Sequence, residues 1–448
     1  MAESQWSGAI RRNLAVLVTL SFITAAGFSA ANLLLPYYIL ALKGLLPSLP
    51  EKLEAINASR AALEVGGLVT AFMAARAFMA AASGWLSDHL GRKPMIVAGL
   101  ALYTVTQAAY YAATSVWQLF AVRALQGIAS AMTWPVAEAL LMDSVPPAVR
   151  TRAMSLYVVS FNLGNVAGPL LGSATYAAAR ALLGPGASVA DVFRLPFLML
   201  AVPAAATLAA SLLLRDPGHR GHHAHLEAFR GGLRELPAAV KRALAGFYFN
   251  ALINGIAVGI VSSVMILYII EYIVHTPEAV GVVMTVPGFA GMLVSYPAAR
   301  LMDRLDNRSR KRILVATMAS SRFLLMTVGY VRSLPLFVVL VSALNMAMNV
   351  MLPLLRSLEA GLIPARLRGR VFGLHQAFFN TGMTVGPMIG SWIYQAYHDS
   401  TVLPGVTGVE ATFLLAGLLG LAGVPLIVLL YDPDRVAEEW RNTERAGA

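Results

Sequence analysis

The sequence lacks cysteine altogether and is poor in charge. With no cysteine among its 448 residues, the chain can form no disulfide, no thiolate metal site and no cysteine nucleophile. Charged residues make up 13% of the chain, about half the ~25% of ordinary soluble domains. A soluble fold of this length could not cover its surface with so few charges. The composition therefore excludes a soluble globular domain, a disulfide scaffold, a coiled coil and a disordered chain.

The chain is instead strongly apolar, with 58% hydrophobic residues and a mean hydropathy of +0.67. A helix needs about 20 apolar residues to cross a bilayer core, and backbone groups in hydrocarbon must be satisfied internally. The apolar runs are too long for the ~10-residue strands of a membrane barrel. We predict an all-α integral membrane protein with twelve transmembrane helices. They are expected at 13–42, 61–83, 95–114, 117–142, 153–181, 193–214, 244–273, 277–301, 313–332, 335–363, 371–397 and 410–431.

The basic residues are unevenly distributed about these runs. With the N-terminus inside, 24 Lys and Arg fall in cytoplasmic segments, 6 in external segments and 4 within the spans. Such an excess follows the positive-inside rule, so the net charge of +11 needs no nucleic-acid partner. Both termini are predicted to be cytoplasmic, in a multi-pass protein of the cytoplasmic membrane. The polar linker 215–243 divides the N-terminal bundle, 1–214, from the C-terminal bundle, 244–448.

The two halves repeat each other. Residues Phe161–Ser173 align with Phe379–Ser391 at an offset of 218, and Phe, Asn, three Gly, Pro and Ser coincide. Tyr37 and Tyr268 match at an offset of 231. This density of agreement indicates a duplicated unit, and we predict two pseudo-symmetric six-helix bundles. Both copies begin inside, so they are parallel repeats.

Three segments carry a resemblance to a known family. Gly84–Lys93 (GWLSDHLGRK), Arg123–Gly127 (RALQG) and the Gly-Pro pattern of Gly164–Gly172 resemble motifs of the major facilitator superfamily, and the likeness covers essentially the whole chain. The resemblance implies the major facilitator fold and transport by alternating access. The third motif resembles that of the twelve-helix drug and efflux antiporters. No cofactor and no metal site are expected.

The cytoplasmic loop after helix two is assigned a gating role by this resemblance. A carboxylate stabilises a helix N-terminus by about 0.3–1 kcal/mol, and the resemblance implies that Asp88 caps helix eleven and clamps the two halves. Arg92 would pair with Asp143. The alternative is a loop that merely ends two helices at the interface. The predicted gating set is Gly84, Asp88, Gly91, Arg92 and Asp143, with Asp303 and Arg304 from the second-half loop, which has lost both glycines.

Glycines and prolines recur in the fifth and eleventh helices. The glycines are four residues apart and share one helix face, so a neighbouring backbone can approach closely. The prolines each remove one helix hydrogen bond and bend the span. We interpret the set as helix pivots, with plain packing as the alternative. Its members are Gly164, Gly168, Pro169, Gly172, Gly382, Gly386, Pro387 and Gly390.

Ionisable side chains within the spans cost at least about 2.5–3.5 kcal/mol each, so each should face protein or a water-filled cavity. Arg356 and Glu359, three residues apart, can pair within their helix. At an offset of 218, Glu138 and Arg356 occupy equivalent positions of opposite sign, which suggests a bridge between the halves. Arg322 has no assigned partner. The predicted coupling or substrate cavity comprises Arg76, Arg123, Gln126, Glu138, Asn250, Asn254, Asn345, Asn349, Arg356 and Glu359.

Some uncharged polar residues have two interpretations. The asparagines on helices seven and ten are cavity groups or interhelical hydrogen-bonding groups. Tyr37, Tyr38 and Tyr268 lie near the outer interface, and an aromatic belt is the default expectation for them.

The sequence favours a secondary transporter over an enzyme. It contains no nucleotide-binding sequence of the Gly-rich Lys-Ser/Thr type, so coupling to protons through Glu138 or Glu359 is the expected energy source. We expect a monomer that exports small lipophilic or cationic compounds. The alternative is symport of an organic anion or sugar, because four intramembrane arginines could bind a carboxylate. A membrane hydrolase or transferase lacks its motifs here and leaves the internal repeat unexplained, and only a transport assay would exclude a non-transporting sensor.

Overall fold

The computed structural model describes residues 8–146, 149–216, 236–302, 304–363, 367–436 and 438–439. Their dominant elements are twelve long helices, one for each predicted span. The first six are α1 (Gly8–Leu42), α2 (Ala62–Leu90), α3 (Arg92–Ala112), α4 (Val116–Ser144), α5 (Arg150–Leu183) and α6 (Val189–Ser211). The other six are α7 (Ala238–Tyr268), α8 (Pro277–Met302), α9 (Asn307–Val328), α10 (Leu334–Gly361), α11 (Arg368–Ala396) and α12 (Gly408–Leu430).

Short elements connect some of these helices. Two 3₁₀ turns, Pro50–Lys52 and Ala58–Ala61, follow α1, and a π-helical turn, Ile269–Ile273, ends α7. Strands β1 (Thr401–Leu403) and β2 (Val406–Thr407) form an antiparallel hairpin before α12. The twelve-helix prediction is confirmed.

The helices differ in how apolar they are. Among the described residues, nine are long and apolar enough to cross a membrane by composition, and α4, α9 and α11 are not. In α9 the reason is plain, because Arg308, Arg310, Lys311 and Arg312 occupy its first turns. The predicted apolar run began after them, at 313. Helices extend beyond apolar runs wherever backbone hydrogen bonding continues into the polar interface.

The structure divides into two compact units. Unit one contains 1–220 and 269–285, and unit two contains 221–268 and 286–448. Each has its own apolar core: Leu20, Leu100 and Leu140 are among the buried residues in unit one, and Val240 and Leu358 among those in unit two. The sequence-based domain division stays a prediction, because a compact unit is defined by contacts and a domain by independent folding.

Helix starts reproduce the internal repeat. Ala62 and Pro277 begin α2 and α8 at an offset of 215, and Arg150 and Arg368 begin α5 and α11 at 218. The offsets therefore match those found in the sequence for the same regions.

The predicted pairing of Tyr37 with Tyr268 is off by one residue. Tyr38 donates a hydrogen bond to the carbonyl of Ala113 after α3, and Tyr268 donates to the carbonyl of Val331 after α9. Because they make the same bond, Tyr38 and Tyr268 are the equivalent pair, at an offset of 230. All three tyrosines are fully buried, so the aromatic-belt interpretation is wrong: their hydroxyls are used inside the protein.

Candidate transport site

The loop between α2 and α3 has the geometry of a tight reversal. Gly91 links the two helices with a φ of +98°, a conformation that a side chain would strain. Arg92 Nε then lies 2.6 Å from Asp143 Oδ2 at the end of α4, so the expected ion pair is present. Asp216 accepts hydrogen bonds from the backbone N–H of Arg92 at 2.9 Å and of Lys93 at 3.4 Å. This aspartate caps α3, and no local pattern in the sequence predicts it.

Gly84 and Asp88 lie exposed in the last two turns of α2, before this loop. A Cβ added at Gly84 would meet nothing within 4 Å, so packing in this structure does not require glycine there. The clamp expected for Asp88 remains a prediction.

The corresponding loop of unit two is built differently. Asp303 lies outside the described residues, and Arg304 is exposed. Asp306 caps α9 by accepting from the N–H groups of Arg308 at 3.0 Å and Ser309 at 3.3 Å. Hydrogen bonds from Ser309 hold the pKa of Asp306 below its ordinary value. An aspartate therefore caps the third helix of each repeat. Asp216, after α6, caps α3, whereas Asp306, directly before α9, caps α9.

Arg123 is buried inside unit one without an acidic hydrogen-bond partner among the described residues. Its guanidinium donates to Gln126 Oε1 at 2.7 Å and to Asn32 Oδ1. It also lies over the rings of Phe28 and Phe72, at 4.9 and 5.1 Å from their centroids. Cation–π contacts and amide oxygens stabilise a buried cation without neutralising it. Gln126 and Arg123 are therefore brought together as one hydrogen-bonded group.

A second cation, Arg76, lies near an acid on α4. Its guanidinium is 5.1 Å from the ring centroid of Trp134. Glu138, one helical turn beyond Trp134, is exposed and interacts electrostatically with Arg76. No ion pair within 4.0 Å joins them in the described chain. Trp134 is itself buried, so its indole packs against the guanidinium, and Glu138 supplies the exposed carboxylate of this group.

In unit two, α10 and α11 share a buried carboxylate. Glu359 is fully buried and lies 3.1 Å from His375 Nδ1 and 3.5 Å from Arg356 Nη1. Arg356 also contacts Gln376 at 3.4 Å. The intrahelical Arg356–Glu359 pair considered from the sequence is present. His375 was missed, although a histidine within a predicted span is itself a signal.

Arg322 has a partner in its own unit. It is 2% exposed and donates to Asn254 Oδ1. Asn254 in turn donates to Asn250 Oδ1 at 2.7 Å. A Cβ at Gly420 of α12 would lie 2.4 Å from Arg322 Cδ, so the arginine stem packs directly on that glycine. Asn250 and Asn254 are therefore both engaged in hydrogen bonds inside unit two.

Asn345 and Asn349 lie one turn apart on α10 and are half-buried. Each donates to the backbone carbonyl one turn before it, at 2.9 Å. Ser295 of α8 donates to Asn349 Oδ1 at 3.2 Å. Asn349 lines a cavity of about 80 Å³ together with Arg310 and Ser357, among others. Asn345 is not among the residues that line it.

The glycine stripes bring backbones into direct contact. A Cβ at Gly164 would lie 2.4 Å from the carbonyl oxygen of Phe22 on α1, and one at Gly382 would lie 2.3 Å from that of Leu252 on α7. Phe22 and Leu252 are again 230 apart. Side chains at these positions are excluded by packing. The pivot role remains a prediction.

The proline of α5 frees one carbonyl, and α1 satisfies it. Pro169 has no N–H to donate to the carbonyl of Asn165, four residues earlier. Ser29 Oγ donates to that carbonyl at 2.8 Å. A polar backbone group inside the membrane is thereby satisfied by a neighbouring helix.

At the other end of α5, unit one contains a charged latch. Arg180 lies 2.6 Å from Glu51 and 3.5 Å from Glu278 in the first turn of α8. Tyr37 donates to the carbonyl of His275 at 2.6 Å, and Ser173 to that of Pro277 at 2.7 Å. These contacts hold residues 269–285 within unit one. Only Tyr37 among them was singled out from the sequence.

Twelve long helices in two repeats, with ionisable side chains inside the spans, define a multi-pass secondary transporter rather than an enzyme. The chain belongs to the Major Facilitator Superfamily, whose family model matches residues 17–250 and 247–448.

The relatives are consistent with this assignment. The chain is 27% identical to "Multidrug resistance protein MdtG" of Citrobacter koseri over 406 residues, covering 89% of this chain and 92% of that protein. It is also 27% identical to the MdtG of Escherichia coli O9:H4 (strain HS), covering 94% of each chain. Among solved structures, that of a D-xylose–proton symporter superposes with a TM-score of 0.72 at 15% identity, covering 96% of this chain and 99% of the other. That likeness concerns the fold alone.

Proposed function

We propose that this protein exports small lipophilic or cationic compounds across the cytoplasmic membrane in exchange for protons, as a monomer. The observation that carries the proposal is the exposed carboxylate of Glu138 on α4, near the Arg76–Trp134 pair. A carboxylate exposed within a membrane helix suits a cationic compound, because opposite charges attract strongly where water is scarce. The names of the MdtG relatives support the same class of substrate.

Competition for one carboxylate would couple the two fluxes. When Glu138 binds a proton, it loses the charge that attracts a cation, and a bound cation in turn opposes protonation. Arg76 lies close enough to Glu138 for the two side chains to interact electrostatically. Exchange then requires only that Glu138 be exposed to the two sides in turn.

The gates proposed for this cycle lie at the ends of α2 and α5. Asp88, together with the Arg92–Asp143 pair, would keep the cytoplasmic side closed. The latch of Arg180 with Glu51 and Glu278 would release the start of α8 when the passage opens outward. Gly84, where the structure leaves room for a side chain, would be needed in the alternative state.

The second candidate function is proton-coupled symport of an organic anion or sugar. It is favoured by Arg123, whose buried cation has amide and aromatic partners and no acidic hydrogen-bond partner in the part of the chain that the structure describes. An arginine left without an acid can bind a carboxylate of a substrate.

Proteoliposomes with an imposed pH gradient distinguish the two. For the export proposal, labelled tetraphenylphosphonium exchanges against protons and labelled benzoate does not, and Glu138→Gln abolishes gradient-driven flux while counterflow is retained. Glu54→Gln, at an exposed carboxylate in the segment after α1, is the matched control and retains coupling. Benzoate uptake that depends on Arg123, with no cation exchange, would establish the second function instead. If Asp88→Asn leaves the flux unchanged, Asp88 is not part of a gate.

A further inference from the structure

Unit one contains a cavity that is separate from the charged groups assigned to transport, Arg76, Arg123 and Glu138. Its volume is about 170 Å³. It is lined by residues from the middle of α1, α3, α5 and α6, among them Thr24, Gly27, Tyr103, Gln107 and Ala204. None of Arg76, Arg123, Glu138 or Trp134 lines it.

The lining is mostly apolar but includes an unused acceptor. Gln107 is 3% exposed, and its Oε1 makes no hydrogen bond in the described part of the chain. The amide lies beside Gly27, since a Cβ added there would be 3.9 Å from Gln107 Nε2. A buried amide oxygen without a donor has lost its hydration with no hydrogen bond in return, which destabilises the protein. A ligand that donates one hydrogen bond would relieve this.

Unit two shows what occupies the equivalent space there. At the offsets that the structure establishes, Thr24 corresponds to Asn254 (230) and Gln107 to Arg322 (215). In unit two these residues are hydrogen-bonded to each other. Arg322 is buried and packs against Gly420. The shorter Thr24 and Gln107 leave in unit one the space that a guanidinium fills in unit two.

We propose that this cavity is a binding site for an uncharged lipophile about the size of one aromatic ring that carries an O–H or N–H donor. Size follows from the volume, because a protein cavity of about 150 Å³ takes up benzene. Neutrality follows from the lining, which offers no acid or base to pair with a charged ligand. The donor bonds Gln107 Oε1, the buried acceptor that no described residue uses.

The ligand enters from the surface of unit one. Leu171, at the α5 side of the cavity, is 37% exposed, and Val202 of α6, next to cavity-lining Pro203, is 70% exposed. These are apolar side chains in the middle of spans, so a lipophile dissolved in the bilayer meets no polar barrier there. Binding needs neither a proton gradient nor Glu138 and stands apart from the proposed export.

The test uses the full chain in phosphatidylcholine nanodiscs and ¹⁹F NMR with two matched probes, 4-fluorophenol and 4-fluorotoluene. Empty nanodiscs give the lipid baseline for each probe. We expect saturable binding to the wild type, with 4-fluorophenol preferred by about 5-fold, the value of one hydrogen bond. Gln107→Leu brings the two probes to within about 2-fold of each other.

Two variants fill the cavity in different ways. Thr24→Asn with Gln107→Arg installs the unit-two pair, and Gly27→Leu adds a side chain where the structure leaves room. Both lose binding of both probes. Val105→Leu, at a residue of α3 that is 59% exposed, is the control and binds as the wild type does. A thermal unfolding transition verifies folding of each protein, and either filled variant that folds is sufficient.

Two results would overturn the proposal. If the folded wild type shows no saturable binding of 4-fluorophenol, the cavity holds water only. If both probes bind equally and Gln107→Leu changes nothing, the cavity is an apolar crevice for lipid tails and Gln107 is not a ligand-binding group.

Discussion

Ser29 Oγ on α1 donates a 2.8 Å hydrogen bond to the carbonyl of Asn165 on α5, the one carbonyl that Pro169 leaves without its helical donor. Proline in a membrane helix is tolerated when a neighbour satisfies the freed group. The bond also ties α1 to α5 along the glycine stripe. It makes the serine and the proline energetically dependent on each other.

Removing the serine should therefore be costly only while the proline is present. We expect Ser29→Ala to lower the free energy of unfolding by about 0.6–1.7 kcal/mol, the range of hydrogen bonds between membrane helices. Pro169→Ala restores an N–H for Asn165, so Ser29→Ala should cost less in that background. Thermal unfolding of the four proteins in one detergent gives the double-mutant cycle.

Ser160→Ala is the matched control for this cycle. Ser160 also donates from α5 to α1, at 2.8 Å, but its acceptor, the carbonyl of Val18, receives a second hydrogen bond from Ser21. Its loss should cost less than that of Ser29. Equal costs for Ser29→Ala with and without the proline would contradict the dependence.

The two membrane carboxylates should separate into a structural and a functional one. Glu359 is fully buried between His375 and Arg356, so Glu359→Gln should destabilise the protein by about 1–3 kcal/mol. Glu138 is exposed on α4, and Glu138→Gln should change stability by less than about 0.5 kcal/mol. Unfolding of the purified variants measures both, and the reverse order would show that the assignment is wrong.

Arg322 should be essential for the stability of unit two. Arg322→Gln removes the donor to buried Asn254 and leaves a cavity beside Gly420, and we expect a loss of about 1–3 kcal/mol. Arg312→Gln changes an exposed arginine of the same helix and should stay within about 0.5 kcal/mol. Calorimetric unfolding compares them. If Arg322→Gln is as stable as the Arg312→Gln control, the hydrogen bond from Arg322 to Asn254 does not stabilise the protein.

The cap of α9 should be sensitive to acid. The pKa of Asp306 is lower in the folded protein than its ordinary value, because Ser309 donates to the carboxylate. A depressed pKa gives a stabilisation that is complete above the unfolded value of about 3.9 and is lost as pH falls through the folded pKa. The wild type should therefore exceed Asp306→Ala in unfolding temperature at neutral pH, and the difference should shrink below about pH 4.

Asp399→Ala serves as the comparison, because that carboxylate is almost fully exposed. Its effect should be small at every pH. A difference between wild type and Asp306→Ala that grows on acidification would have the wrong sign for this cap.

Much of the fold could be predicted from the residues because it depends on local quantities. Apolar length set the number of helices, and repeated Gly and Pro positions set the offsets of 218 and 215. The Arg92–Asp143 pair could be anticipated from the family motif. The offset of the first helix was wrong by one residue, since a single matched tyrosine cannot distinguish Tyr37 from Tyr38.

The partners of polar side chains could not be predicted in the same way. Asp216 caps α3 from 124 residues away, and His375 meets Glu359 from another helix. Nothing in the neighbouring sequence encodes such contacts, because they depend on which helix faces meet. The same holds for the cavity at Gln107, which is recognised only when its surroundings are compared with those of Arg322.

The sequence by itself determined that this chain spans the membrane twelve times as a doubled six-helix unit, because hydrocarbon admits only long apolar helices and duplication leaves the same residues in both copies. The tertiary structure alone decided which charges are buried, which carbonyls are satisfied and where space remains. Those outcomes depend on distances of a few ångströms between helices far apart in the chain.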